Sequence, residues 1–287
     1  MRTENQRRSS NIEDRRGSRM PGGKGGLGLG AIVIALVAAY FGIDPKVALQ
    51  VANTVAPASP STTTGGPVTE SASEAAAREL VSVVLADTED TWKTIFTAGG
   101  GAYREPTLVL FREATQTACG TGQAAMGPFY CSADEKVYID LSFYDALHQR
   151  FQAPGDFAQA YVIAHEVGHH VQHLLGISAK VQQARRRAPE AEANALSVRQ
   201  ELQADCLAGV WAHHAERSRQ LLESGDLEEA LTAATAIGDD TLQKNAQGYA
   251  VPDSFTHGTS QQRVQWFRIG MESGSLDACD TFSQRTI

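Results

Sequence analysis

Residues 165–169 read His-Glu-Val-Gly-His, and this pentapeptide constrains the chain more than any other stretch, because its chemistry works only on a helix. Positions i and i+4 of a helix project from one face about one turn apart. His165 and His169 can therefore offer two imidazole nitrogens to a single metal ion, while Glu166 stands one position round, close enough to hold a water without being a ligand. The surrounding text supplies the helix. From Asp156 to Gly176 it reads DFAQAYVIAHEVGHHVQHLLG, with Asp156 placed to cap the start. Phe157, Ala160, Tyr161, Ala164, Val171, Leu174 and Leu175 form an apolar face, and Gly176 ends it. His173 lies eight residues beyond His165, about 12 Å along the axis, too far to share an ion bound through bonds of about 2 Å. His170 is expected at the surface or behind the ligands.

A catalytic zinc takes three protein ligands and keeps an open position for water, so a third ligand is required. The segment RQELQADCLAGVWAHH supplies Glu201 and Asp205 at the same i, i+4 spacing, with Leu202, Cys206, Val210 and Trp211 at apolar helical positions. Pro189 suits the first turn of this helix. Glu201 is the expected ligand, and Asp205 would accept the free ring N–H of a ligand histidine and fix its tautomer. The reverse assignment, with Asp205 on the metal, stays open, as does an exposed acidic face. A donor for the developing oxyanion is expected from His257 in SFTHGTSQQR, where Gly258 allows a tight turn and Thr259 with Gln262 opens a last helix. Arg263 and Tyr249 are the alternatives for that duty.

These three motifs, HEVGHHVQ, ELQADCLAG and HGTSQQR, resemble in that order the bacterial membrane-anchored neutral zinc metallopeptidases, and more distantly the gluzincins with HExxH plus ExxxD. The likeness runs from about Arg78 onward. It implies a zincin-like domain with one zinc ion on His165, His169 and Glu201, Glu166 as the catalytic carboxylate, and Asp205 behind the ligands. Substrate-binding edges in this class resemble a short strand to which an extended peptide adds. Strand-like text falls within 107–141, as TLVLF, GPFYC and KVYIDLSF separated by turn residues.

Residues 1–26 carry seven Lys or Arg against three acids, and an uncharged run, LGLGAIVIALVAAYFGI, follows from Leu27 to Ile43. Seventeen apolar residues can form a short membrane-spanning helix. The preceding positive flank would keep residues 1–26 cytoplasmic and place the rest outside, in a bacterial cell membrane with a single pass. A cleaved signal peptide is the other reading. Residues 44–73, rich in Pro, Ser, Thr and Gly, read as a flexible linker, and 74–287 as the zinc metallopeptidase domain. Removing the four excess positive charges of residues 1–26 from the net −8 leaves about −12 on the remainder, which excludes nucleic acid as a natural partner. Four cysteines fit an oxidising compartment. Pairing them in chain order gives Cys119–Cys131 and Cys206–Cys279, one of three possible connectivities.

Helix starts are expected at Ser71 with Glu74, at Asp226 with Glu229, and at Thr259. Several helices and one small sheet make an α+β domain. The function expected is zinc-dependent endopeptidase hydrolysis of extracytoplasmic protein or peptide by metal-activated water. The alternatives are an amidase acting on cell-wall peptide and a catalytically silent anchored domain that binds a partner.

Overall fold

The computed structural model describes residues 1–18 and 68–283. The apolar run 27–43 and most of the expected linker lie outside the described residues. Among the described residues no helix is long and apolar enough to cross a membrane.

The fold is α+β and mainly helical. Strand β1 (Ile12–Asp14) comes first, then helix α1 (Ala72–Ala98), β2 (Thr107–Phe111), β3 (Ala114–Thr117), β4 (Gly120–Gln123), β5 (Phe129–Cys131) and β6 (Lys136–Asp140). Helices α2 (Ser142–Gln149), α3 (Asp156–Leu174), α4 (Ile177–Arg185), α5 (Glu190–Arg219), α6 (Asp226–Ala236), α7 (Asp239–Gln247) and α8 (Ser260–Ser273) complete it. Capping boxes open α1, through Ser71 and Glu74, and α8, through Thr259 and Gln262; each satisfies backbone N–H groups that have no partner inside the helix. Helix α3 begins with Asp156 as its first residue, and its cap is Gly155 at φ 117°, not Asp156.

Four strands form one mixed sheet in the order β1-β2-β6-β5, while β3 and β4 make a separate hairpin. Strands β1 and β2, and β2 and β6, run parallel; β5 runs antiparallel to β6 at the edge. Side chains alternate along β2 and β6. Leu108, Leu110, Val137 and Ile139 enter the main core beneath the helices. Val109, Phe111 and Tyr138 enter a smaller cluster with Cys131 on the opposite face. Both faces are thus buried, which accounts for the near-continuous apolar text of TLVLF.

The main core is built around α3, where Phe157, Tyr161, Ile163, Val167 and Val171 are fully buried. Helix α5 crosses it, with Trp211 stacked on Phe157 at 5.7 Å. Cys119 bonds to Cys131, fastening the β3–β4 turn to the edge strand, and Cys206 bonds to Cys279, fastening α5 to the C-terminal tail.

Residues 1–18, read from the sequence as a basic segment apart from the domain, lie on it. Ile12, Glu13 and Asp14 register with Leu108, Val109 and Leu110 as the outer strand of the sheet. Arg7, Arg8 and Arg16 pair with Glu89, Glu79 and Glu70, so part of the charge that looks solvated in the sequence is paired in the fold.

Candidate metal centre

Helix α3 presents His165 and His169 one turn apart, with ring centroids 4.8 Å from each other. Helix α5 crosses directly behind them because Gly168 has no side chain: a Cβ there would lie 3.0 Å from the carbonyl oxygen of Ala204. Any larger residue in the pentapeptide at this point would push α5 away. The close crossing brings Glu201, one turn before Ala204, to the histidines. Its Oε2 lies 3.2 Å from His165 Nε2 and 3.4 Å from His169 Nε2, and one ligand atom from each of the three falls within 4.8 Å of the others.

The hydrogen bonds behind the two rings fix their tautomers. His165 Nδ1 donates to Asp205 Oδ1 at 2.8 Å. His169 Nδ1 meets Gln172 Oε1 at 2.9 Å. Since Gln172 Nε2 donates to the carbonyl of Gln200 and to Gln203 Oε1, the amide oxygen is the atom that faces His169, so Nδ1 carries the proton. Both Nε2 atoms therefore present lone pairs to a carboxylate oxygen, an arrangement that needs a cation, either protons or a metal. Tetrahedral zinc fits: bonds of about 2.0–2.1 Å imply ligand–ligand separations of about 3.3 Å, which is what Glu201 shows to both rings.

The metal-free electrostatics describe the same convergence. Burial works against charge on His165, but Asp205 and Glu201 outweigh it and raise the imidazole to about 9. His169 is raised as well, with burial opposing and Glu201 as the chief favourable partner. Burial would raise Glu201, yet the charge of His169 and hydrogen bonds from both rings hold it well below the usual carboxylate range. Asp205 is fully buried and is lowered to about 2, because Arg263 and His165 overcome its desolvation.

Arg263 is thereby placed. Its Nε and Nη2 clasp the two oxygens of Asp205 at 2.9 Å each, Nη2 also reaches Tyr161 Oη at 3.2 Å, and the side chain is 3% exposed. So engaged, it is not a free oxyanion donor. Tyr249 is 61% exposed, and among the described residues no hydrogen bond joins its hydroxyl to His165, His169 or Glu201. His257 remains. Its loop packs on α5, since a Cβ on Gly258 (φ +93°) would meet Val198 and Leu202, which flank Glu201. The ring is half exposed, and its pKa is raised: burial opposes this, but Asp239 and the charge of Glu201 prevail.

Glu166 is buried, 8% exposed, yet has no hydrogen-bond partner among the described residues, and its charge acts on His169. Of the remaining histidines, His173 pairs with Glu135 at 3.2 Å, away from the triad. His170 is fully buried between Tyr130 Oη and the carbonyl of Arg104, so it is a core histidine and not a surface one.

Two supporting residues escaped the sequence reading. Gln172 follows His169 by three and shares its helix face, a spacing that could have flagged it. Asp239 accepts the backbone N–H groups of Thr256, His257 and Gly258 and lies 3.4 Å from His257 Nδ1. It sits on the first turn of α7, where an acid reads simply as a helix-start residue.

A helix-borne HExxH pair met by a glutamate from a second helix is an arrangement that could hold a metal ion, and it is the one expected of the zinc peptidase class. The chain belongs to the family described as "Putative neutral zinc metallopeptidase", whose model matches residues 1–282. It is 53% identical to "Uncharacterized protein YpfJ" of Escherichia coli (strain K12), with 99% of both chains covered. It is 41% identical to "Uncharacterized protein Rv2575" of Mycobacterium tuberculosis (strain ATCC 25618 / H37Rv), over 63% of this chain and 64% of that one. No solved structure matches the chain.

Proposed function

We propose that the protein is a zinc-dependent endopeptidase that holds one zinc ion on His165, His169 and Glu201 and hydrolyses protein or peptide. The observation that carries this reading is the convergence of three donor atoms, with the buried Glu166, next in the chain to His165, making no hydrogen bond among the described residues. A structural zinc site closes all four positions with protein ligands and has no use for such an acid, which disfavours the silent binding domain. When bound, the metal supplies a Lewis acid that polarises the scissile carbonyl and lowers the pKa of water.

The chain's own groups do the rest. Glu166 takes a proton from the attacking water as general base and returns it to the leaving amine as general acid. His257, steered by Asp239, donates a hydrogen bond to the oxyanion. Asp205 holds His165 in the tautomer that keeps Nε2 free, and Gln172 does the same for His169. Edge strand β5 packs on α3 through Tyr130 and His170 and offers an extended substrate a strand to pair with. The two disulfides support an extracytoplasmic domain, and the run 27–43 is retained as the point of membrane attachment.

Replacing Glu166→Gln is the test. Zinc content should stay at that of the parent while peptide hydrolysis falls by orders of magnitude. Equal hydrolysis by the two proteins would remove Glu166 from the reaction and with it this reading.

A further inference from the structure

The described N-terminal residues are joined to the domain by buried chemistry. Glu89, on the inner face of α1, is 1% exposed. Its hydrogen bonds among the described residues all come from residues 1–18: Arg7 Nη2 at 2.8 Å, Ser9 Oγ, and Asn11 Nδ2 at 2.9 Å. Without that segment a carboxylate in the body of the domain would lose its compensating partners. Backbone pairing adds to this. Ser9 N–H donates to the Ser82 carbonyl at 3.0 Å, Leu108 N–H to Asn11, and Arg15 N–H to Leu110 at 2.7 Å. The last two bonds continue the ladder in which β1 closes one edge of the sheet.

Among the described residues, the five positive charges that precede the apolar run, Arg2, Arg7, Arg8, Arg15 and Arg16, are engaged as well. Arg2 bonds the carbonyl of Gln220, Arg7 pairs with Glu89 and Asp90, and Arg8 pairs with Glu79. Arg15 pairs with Glu13, which also takes Lys136, and Arg16, 2% exposed, pairs with Asp14 and Glu70. A domain carrying about −12 is thus the electrostatic partner of this basic segment.

The Arg16–Glu70 pair, at 2.8 Å, joins the two described stretches on either side of the apolar run. Residue 16 precedes the apolar run and residue 70 follows it, yet the two touch. A single membrane crossing between them would put touching residues on opposite sides of a bilayer whose hydrocarbon core is about 30 Å thick. A return crossing has no sequence to make it. From Asp44 to Pro67 the chain carries Asp44, Lys46, four prolines and a Thr-rich stretch, not the roughly 20 apolar residues a span needs.

We infer that residues 1–18 are an integral part of the domain formed by residues 68–283 and share its compartment, so that no single membrane crossing separates the two. This rests on β1, Glu89 and the Arg16–Glu70 pair, and is independent of the peptidase reading.

Reporter cysteines decide it in the full chain expressed in bacterial spheroplasts. Arg8→Cys and Glu79→Cys, made separately at the two ends of one ion pair, are treated with a membrane-impermeant maleimide before and after permeabilisation. Both positions should label together, either both before or both only after. Labelling of one before and of the other only after permeabilisation would overturn the inference. Asn11→Cys and Glu105→Cys, another bonded pair, give the same readout should the first variants fail to fold.

Discussion

The two histidines proposed as ligands are held by different physics. Behind His165 stands a charged cluster: fully buried Asp205, clasped by Arg263 and bonded by Tyr161. Behind His169 stands a neutral amide relay from Gln172 to Gln203 and on to the carbonyl of Cys279. That carbonyl belongs to the tail that the Cys206–Cys279 bond ties to α5. A buried carboxylate tunes basicity as well as direction, whereas an amide mainly sets direction. One arm therefore controls how strongly its ring binds a cation, and the other where its ring points.

The largest effect is expected from Arg263→Met, which leaves Asp205 buried without its guanidinium. Removing one member of a buried pair costs about 3–5 kcal/mol, and urea unfolding should show a loss of that size. An unchanged midpoint would mean the charged arm is not built as described. Acidity should act next. In the metal-free protein His165 is raised to about 9, so below that pH zinc must displace its proton. Affinity then falls roughly tenfold per pH unit for that proton as pH drops, with proton release measurable by calorimetry in two buffers. Asp205→Asn should move the onset of this slope to lower pH, while Gln172→Leu should leave it in place.

Asp205→Asn should itself weaken zinc about 10–100-fold, the usual cost of losing a partner behind a ligand, read by competition with a chelator. The smallest change is expected from Gln172→Leu. A neutral hydrogen bond contributes about 1 kcal/mol, so the affinity loss should stay below about tenfold. If it equals the loss in Asp205→Asn, the contrast between the two arms is wrong.

How much of this was legible beforehand follows from the range of the interactions involved. Local periodicity exposes i, i+4 pairs, so His165, His169, Glu201 and Asp205 could be picked out, and caps exposed the starts of α1 and α8. Their meeting depends on Gly168 letting α5 approach, and that shows only in three dimensions. Arg263 was an alternative donor for the oxyanion because it lies in the HGTSQQR motif; its destination is a buried acid 58 residues away in sequence. Gln172 and Asp239 are polar helix residues whose partners lie far along the chain or in a loop. Strand β1 was hidden by its setting, three residues with two acids amid arginines, where no alternation marks a strand. The pairing that makes it one belongs to Leu108–Leu110, far along the chain.

Crystallographic anomalous scattering, recorded on both sides of the zinc edge from the protein purified with zinc, tests the central claim most directly. The account predicts a single peak about 2 Å from His165 Nε2, His169 Nε2 and a Glu201 carboxylate oxygen. A peak held by Asp205 in place of Glu201, or none at these histidines, would contradict it.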